Sequence, residues 1–210
     1  IYMNIKHTLT WALLATLLSA STPANIKFTP AETQQISIST PGLFDKSKAF
    51  SIDFTSMGDR AYSFPLPVGK ATLSDKEDRL EITSKKRDAV NAMFDGCVRL
   101  ARKMDRHGNV IVIRHDNGLE TFYAPLSKRL GSPGDWVTAG QTIGLGGSTG
   151  RSTGAHLHFE TRYCGFAFDP QWLIDFESGT LRHRLFILKK RFLDASSKYI
   201  PESDEEDYLI

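Results

Sequence analysis

The stretch from Ala89 to Ala167 constrains the fold more than any other part of the chain. Short apolar segments follow one another there, "AVNAMF", "CVRLA", "VIVIRH", "LETFYA", "TIGLG" and "HLHFETRY". They are separated by Asp-Gly, His-Gly-Asn, Asp-Asn-Gly and Ser-Pro-Gly-Asp turns. Runs this short, rich in β-branched and aromatic residues and bounded by turn formers, read as strands. Asn117-Gly118 stands between "VIVIRH" and "LETFYA", and both turn positions favour positive φ, so these two strands are expected to form a hairpin. The expected class is mainly β, with an antiparallel sheet.

The flanks read differently. At 210 residues the chain has room for one domain with extensions. Asn4-Ile5-Lys6-His7, the apolar run "LTWALLATLL" and the small residues "SASTPA" follow the order of a secretory signal peptide, expected over residues 1–24. The run is shorter than the roughly 20 residues that span a bilayer; a buried N-terminal helix is the alternative. Residues 25–63 read as a polar extension or linker with one or two strands, from "QISIS" and "AFSIDF". The two prolines of "FPLPVG" force extended backbone and open the main domain, expected over 64–176. Beyond it, "LRHRLFILKKRFLDA" at 181–195 puts Leu181, Leu185, Leu188 and Phe192 at helical spacing. That spacing predicts a C-terminal helix packed on the domain, with an acidic tail completing 177–210. A basic helix on an anionic membrane surface is the sharper, minority reading.

Lysine and arginine number 26 against 24 acidic residues, a balance that gives no argument for nucleic acid. Cys97 and Cys164 are the only cysteines; an oxidising compartment would permit a disulfide, and two separate buried thiols are as consistent with the sequence. With no C-x-x-C pair, a cysteine zinc site is excluded.

His156 and His158 stand two apart in a predicted strand, so both imidazoles face the same side. A His-x-His pair alone is weak evidence of a site, since two hydrogen-bonded strand histidines would look the same. Its surroundings say more. "GDWVTAGQTIGLGGSTGRSTGAHLHFE", with "GNVIVIRHDNGLETFYAPLS", "VNAMFDGCV" and "FDP" in the same order, resembles the lysostaphin/LytM-type zinc metallopeptidases, which cut peptide cross-links of bacterial cell walls. The resemblance covers residues 64–172. It implies an antiparallel sheet of the LytM/lysostaphin type, related to the barrel-sandwich hybrid, and an exported, periplasmic or envelope location. It also implies roles for single residues. His158 corresponds to a zinc ligand and His156 to a catalytic histidine. The family's other two ligands form a His-x-x-x-Asp motif; anchored on Asp95-Gly96, its positions hold Glu77 and Glu81. The family's second catalytic histidine follows a Tyr-Ala pair, where this chain has Pro125. His107 and His115 match positions that are not ligands and read as structural.

These departures define the expectation. A catalytic zinc takes three protein ligands and a water, and one family ligand is retained. Glutamate is a methylene longer than aspartate and is not shaped like imidazole. The segment "LSDKEDRLEITSKKRD" also lacks the glycines that family members use here, and a solvated charged strand is its bland reading. Proline supplies neither a proton nor a donor. The chain is therefore expected to be a degenerate relative without peptidase activity and with no cofactor. Its partner is expected to be a peptidoglycan peptide or an envelope hydrolase. Gly147, Ser148, Thr149, Gly150, Ser152 and Thr153 of the loop after "TIGLG" are the candidate peptide contacts, because small residues let an extended ligand approach the backbone. A tight connection rich in positive φ is an equal account of that loop. Two alternatives stand beside this reading. One is an active zinc metalloendopeptidase with Glu77, Glu81 and His158 as ligands. The other is a lipoyl- or biotinyl-type carrier, which "GDWVTAGQTIG" also resembles; it needs a lysine at a hairpin tip, and Asp75-Lys76-Glu77 is not such a tip.

Overall fold

The computed structural model describes residues 26–45, 47–55, 62–66, 70–73, 79–83, 85, 87–148 and 155–193. In chain order they form a short helix α1 (Pro30–Gln34) and strands β1 (Ala49–Asp53), β2 (Lys70–Leu73), β3 (Arg79–Thr83) and β4 (Ala89–Asn91). Then come β5 (Gly96–Met104), β6 (Gly108–Arg114), β7 (Leu119–Arg129), β8 (Trp136–Val137) and β9 (Thr142–Gly146). The last are β10 (His156–Tyr163), β11 (Phe166–Phe168), β12 (Ile174–Asp175), β13 (Thr180–Leu181) and β14 (Leu185–Lys189). Among the described residues, ten strands join one antiparallel sheet whose spine runs β2-β3-β10-β7-β6-β5-β8. The six segments read as strands from the sequence are β4, β5, β6, β7, β9 and β10.

The predicted hairpin forms at Asn117-Gly118. Gly118 takes φ +82°, its N–H donates to the His115 carbonyl, and β6 pairs β7 with Arg114 opposite Glu120.

Alternation along the strands sorts residues onto two faces. Leu157 and Phe159 of β10, Tyr123 of β7 and Ile111 and Ile113 of β6 point into the main core, with Ile52, Phe168, Phe186 and Leu188 closing it from the other side. The residues between them, His156, His158, Glu160 and Arg162 of β10, therefore lie on the opposite face. There Leu100, Val110, Val112, Phe122 and Ala124 make a second, smaller apolar cluster. A bulge in β5 shifts the register between Val98 and Leu100. It turns Arg99 and Leu100 toward the same second face, an arrangement strict alternation does not allow.

The C-terminal segment corrects the prediction of a helix. Residues 185–189 form β14, antiparallel to β1, with Phe186 opposite Ile52 and Leu188 opposite Phe50. The burial of β14 alternates, with Phe186 and Leu188 inside, and Lys190–Leu193 adds a 3₁₀ turn that buries Phe192 against Trp172. A helix would present one side of 185–189; the edge of β1 instead demands every second residue. "QISIS" is likewise not a strand. Residues 35–40 run as irregular backbone, and the carbonyls of Gln35 and Ile36 are taken by the Arg99 side chain rather than by a neighbouring strand. The acidic tail lies outside the described residues, as does the expected signal peptide. No helix among the described residues is long and apolar enough to cross a membrane. Cys97 and Cys164 are both free thiols.

His115 is buried, edge-on against Phe94 of the main core. Its Nδ1–H donates to the Asp95 carbonyl at 2.8 Å and its Nε2 accepts from the Thr121 hydroxyl at 2.8 Å, so the ring is neutral. Burial pushes its pKa down to about 4, against the weaker upward pull of the Asp95 carbonyl. The unfolded chain binds this proton near pH 6.5, so stability is lost as pH falls from 6.5 toward 4. The expected loss by pH 4 is about 3 kcal/mol. Urea titrations at pH 7 and pH 4 should show that difference for the wild type. His115→Asn, which has no such proton to take up, should show it reduced.

Candidate functional site

The second face of the sheet gathers the histidines. β10 is flanked by β3 and β7, and His158 lies opposite Glu81 on one side and Ala124 on the other. His156 Nε2 stands 3.5 Å from Glu81 Oε2, near the rim, with both side chains partly exposed. His158 is buried. Its Nε2 is 2.6 Å from Glu160 Oε1, and Glu160 in turn receives Arg162 Nη1. Burial alone would raise the Glu160 pKa; the hydrogen bond from His158 and the charges of His158 and Arg162 overcome it and hold the carboxyl at about 2. An ionised carboxylate only accepts, so His158 Nε2 donates the proton of this hydrogen bond.

Aromatic rings fix the other side of His158. Phe122 lies with its centroid 5.2 Å away and His107, from the turn between β5 and β6, at 6.1 Å, while His107 packs edge-on against Phe122. His107 was expected to be structural, and a turn position in the sequence carries no sign of this placement. It arrives because the β5–β6 hairpin reaches across Phe122. Glu160 was also missed as part of the site, although its position two residues after His158 put it on the same face.

Pro125 follows Ala124 directly and is buried beside the same turn, 3.3 Å from where a Cβ on Gly108 would stand. Gly147 sits against this segment so closely that a Cβ there would lie 2.6 Å from the Ser127 nitrogen and 3.0 Å from the Pro125 carbonyl oxygen. Its lack of a side chain is thus a packing requirement. Ser148 beside it is exposed. Thr149, Gly150, Ser152 and Thr153, like Glu77, lie outside the described residues.

Zinc requires three converging protein donors in a catalytic site. Among the described residues no three histidine, cysteine, aspartate or glutamate side chains come together in that way. His158 Nε2 is committed to Glu160, and His156 faces Glu81.

The fold is an antiparallel β-sheet that carries a His-x-His strand on its second face. Residues 76–170, a little under half of the chain, match Peptidase family M23. Among curated relatives, the DD-carboxypeptidase/endopeptidase Mpg of Neisseria meningitidis is 46% identical over 81 residues, 39% of this chain and 19% of that protein. The peptidoglycan DD-endopeptidase ShyA of Vibrio cholerae is 50% identical over 66 residues, 31% of this chain and 15% of the other. The murein hydrolase activator EnvC of Escherichia coli is 41% identical over 85 residues, 40% of this chain and 20% of the other. The chain thus spans a fifth or less of the length of these relatives. The solution structure of lysostaphin superposes with a TM-score of 0.50 at 27% identity, covering 58% of this chain and 56% of that one.

Proposed function

We propose that this is an exported envelope protein whose M23 domain has lost peptidase chemistry and now holds wall peptide or regulates a wall hydrolase. The observation that carries the reading is Pro125. It follows Tyr123-Ala124 and precedes Leu126-Ser127, and Ala124 is the β7 residue paired with His158. The position that gives the family its second catalytic histidine therefore borders His158, the counterpart of a zinc ligand, and offers no donor. Glu77 and Glu81 replace the other ligands, and Gly147 with Ser148 leads into the loop proposed to line the peptide groove. The likeness to a relative named as a murein hydrolase activator supports a regulatory role.

Co-sedimentation with purified murein sacculi tests the binding half. The protein should pellet with sacculi and be released by soluble muropeptides. The same preparation should also alter the rate of an envelope hydrolase on that murein. A protein that stays in the supernatant and leaves hydrolase rates unchanged would defeat the reading.

One observation favours a second reading, an active zinc metalloendopeptidase. Glu81 stands in register opposite His158, so two of the three donors of a Glu77/Glu81/His158 set are neighbours. Metal analysis of zinc-supplemented protein separates the two. Near-stoichiometric zinc that disappears in His158→Ala belongs to the second.

A further inference from the structure

The second face of the sheet is not bare. Residues 28–40 lie across it, and the contacts are specific. Arg99 is fully buried at the β5 bulge, and its guanidinium has every donor engaged. Nε and Nη2 grip Glu120 at 2.6 and 3.0 Å. The remaining donors go to main-chain carbonyls of the crossing segment: Gln35 at 2.9 Å, Ile36 at 2.7 Å, and Glu32. Ile36 packs on the apolar cluster that contains Phe122 and Ala124, the residues that also flank His158. Glu32 Oε1 meets Arg114 Nη1 at 2.6 Å, and Ser37 accepts from Arg162. The Thr29 N–H holds the Glu32 carboxyl at about 2, with Arg114 adding to it against partial burial, so the acid is ionised throughout the physiological range. Further along, the Thr40 N–H donates to the Cys164 carbonyl.

Little of this grip depends on side-chain identity. Three of the contacts are to carbonyls at the end of the α1 turn, Glu32 within it and Gln35 and Ile36 just past it, which any peptide ending such a turn presents. The selective ones are a carboxylate for Arg114 and an apolar side chain four residues later. We propose that residues 28–40 act as an intramolecular ligand, and that the face they cover takes, once they leave, an acidic peptide that forms the same short capped helical turn before running extended, with an apolar residue four positions after its carboxylate. Release does not strand Arg99, since water can replace the three carbonyls while Glu120 stays. This inference rests on the proposed peptide-holding role and gives it a gate: the strap and the ligand compete for one face.

The test uses the full chain and a fluorescein-labelled synthetic peptide, FTPAETQQISIST, copying residues 28–40. A tethered strap competes at an effective concentration of order mM, so the wild type should bind the probe weakly. The variant Glu32→Lys/Ile36→Asp loosens the strap and leaves the sheet untouched. It should bind the probe at least ~10-fold more tightly, because the competent fraction rises. A probe with lysine at the Glu32 position should lose this binding. Circular dichroism and a melting curve confirm that the variant is folded. Equal affinity of wild type and folded variant, or equal binding of the lysine probe, overturns the proposal. Murein sedimentation, run in parallel, separates it from the parent reading. Tighter probe binding without murein binding supports the strap and defeats the wall-peptide role. Murein binding with no effect of the strap substitutions on either ligand defeats the strap and leaves that role standing.

Discussion

Arg99→Ala should lower the unfolding free energy by about 3–5 kcal/mol, the scale for breaking a buried charge pair. For a domain of this size that corresponds to a fall in melting temperature of roughly 10 °C. Arg99 is among the largest fully buried side chains in the protein, and its removal leaves a void beside Leu100. Glu120, 3% exposed, would keep only Arg114, which bonds it at 2.8 Å from a more solvated position. The carbonyls of Gln35 and Ile36 would lose their donor. Arg114→Ala is the control. Its side chain is about one-third exposed, so its pairs with Glu32 and Glu120 are screened and the loss should be about 1 kcal/mol. Thermal melts of both variants check the contrast. An Arg99→Ala protein as stable as Arg114→Ala would mean the guanidinium is not the anchor described.

The second large effect is a gain. If chemistry was lost at the positions that differ from the family, restoring them should return it. Glu77→His, Glu81→Asp and Pro125→His together should bind zinc and release muropeptides from purified murein. Pro125→His alone should do neither, since it supplies a donor but no ligand. Each missing charge-stabilising group costs about 10²–10³ in rate, so the gain of the triple variant should exceed 100-fold. Glu81 is the informative member. It lies opposite His158 in the β3–β10 register, so an aspartate there starts from the right strand position. A triple variant that folds, binds zinc and stays silent would place the lesion elsewhere in the cleft.

The strands of the domain were legible because their signals are local. Turn residues bound each one, and alternation places His156, His158, Glu160 and Arg162 on one face without reference to any partner. Three features were not legible, for the same physical reason. In 181–195 the leucine spacing suits a helix, yet Phe186 and Leu188 also alternate, and only the partner strand Ala49–Asp53 decides between the two periods. His107 reaches His158 through a hairpin that folds over Phe122, a contact across 51 residues that no local spacing encodes. "QISIS" alternates like a strand, but the β5 bulge presents Arg99 to it instead of a strand edge. In each case tertiary partners overrode a sound local pattern. The position of Pro125 needed no structure, because its flanking residues identify it.

Muropeptide release from purified murein by the zinc-supplemented wild-type protein, measured beside His158→Ala, tests the central claim most directly. The account predicts no products from either protein and no zinc held by either. Cross-link cleavage by the wild type that vanishes with His158→Ala would contradict it.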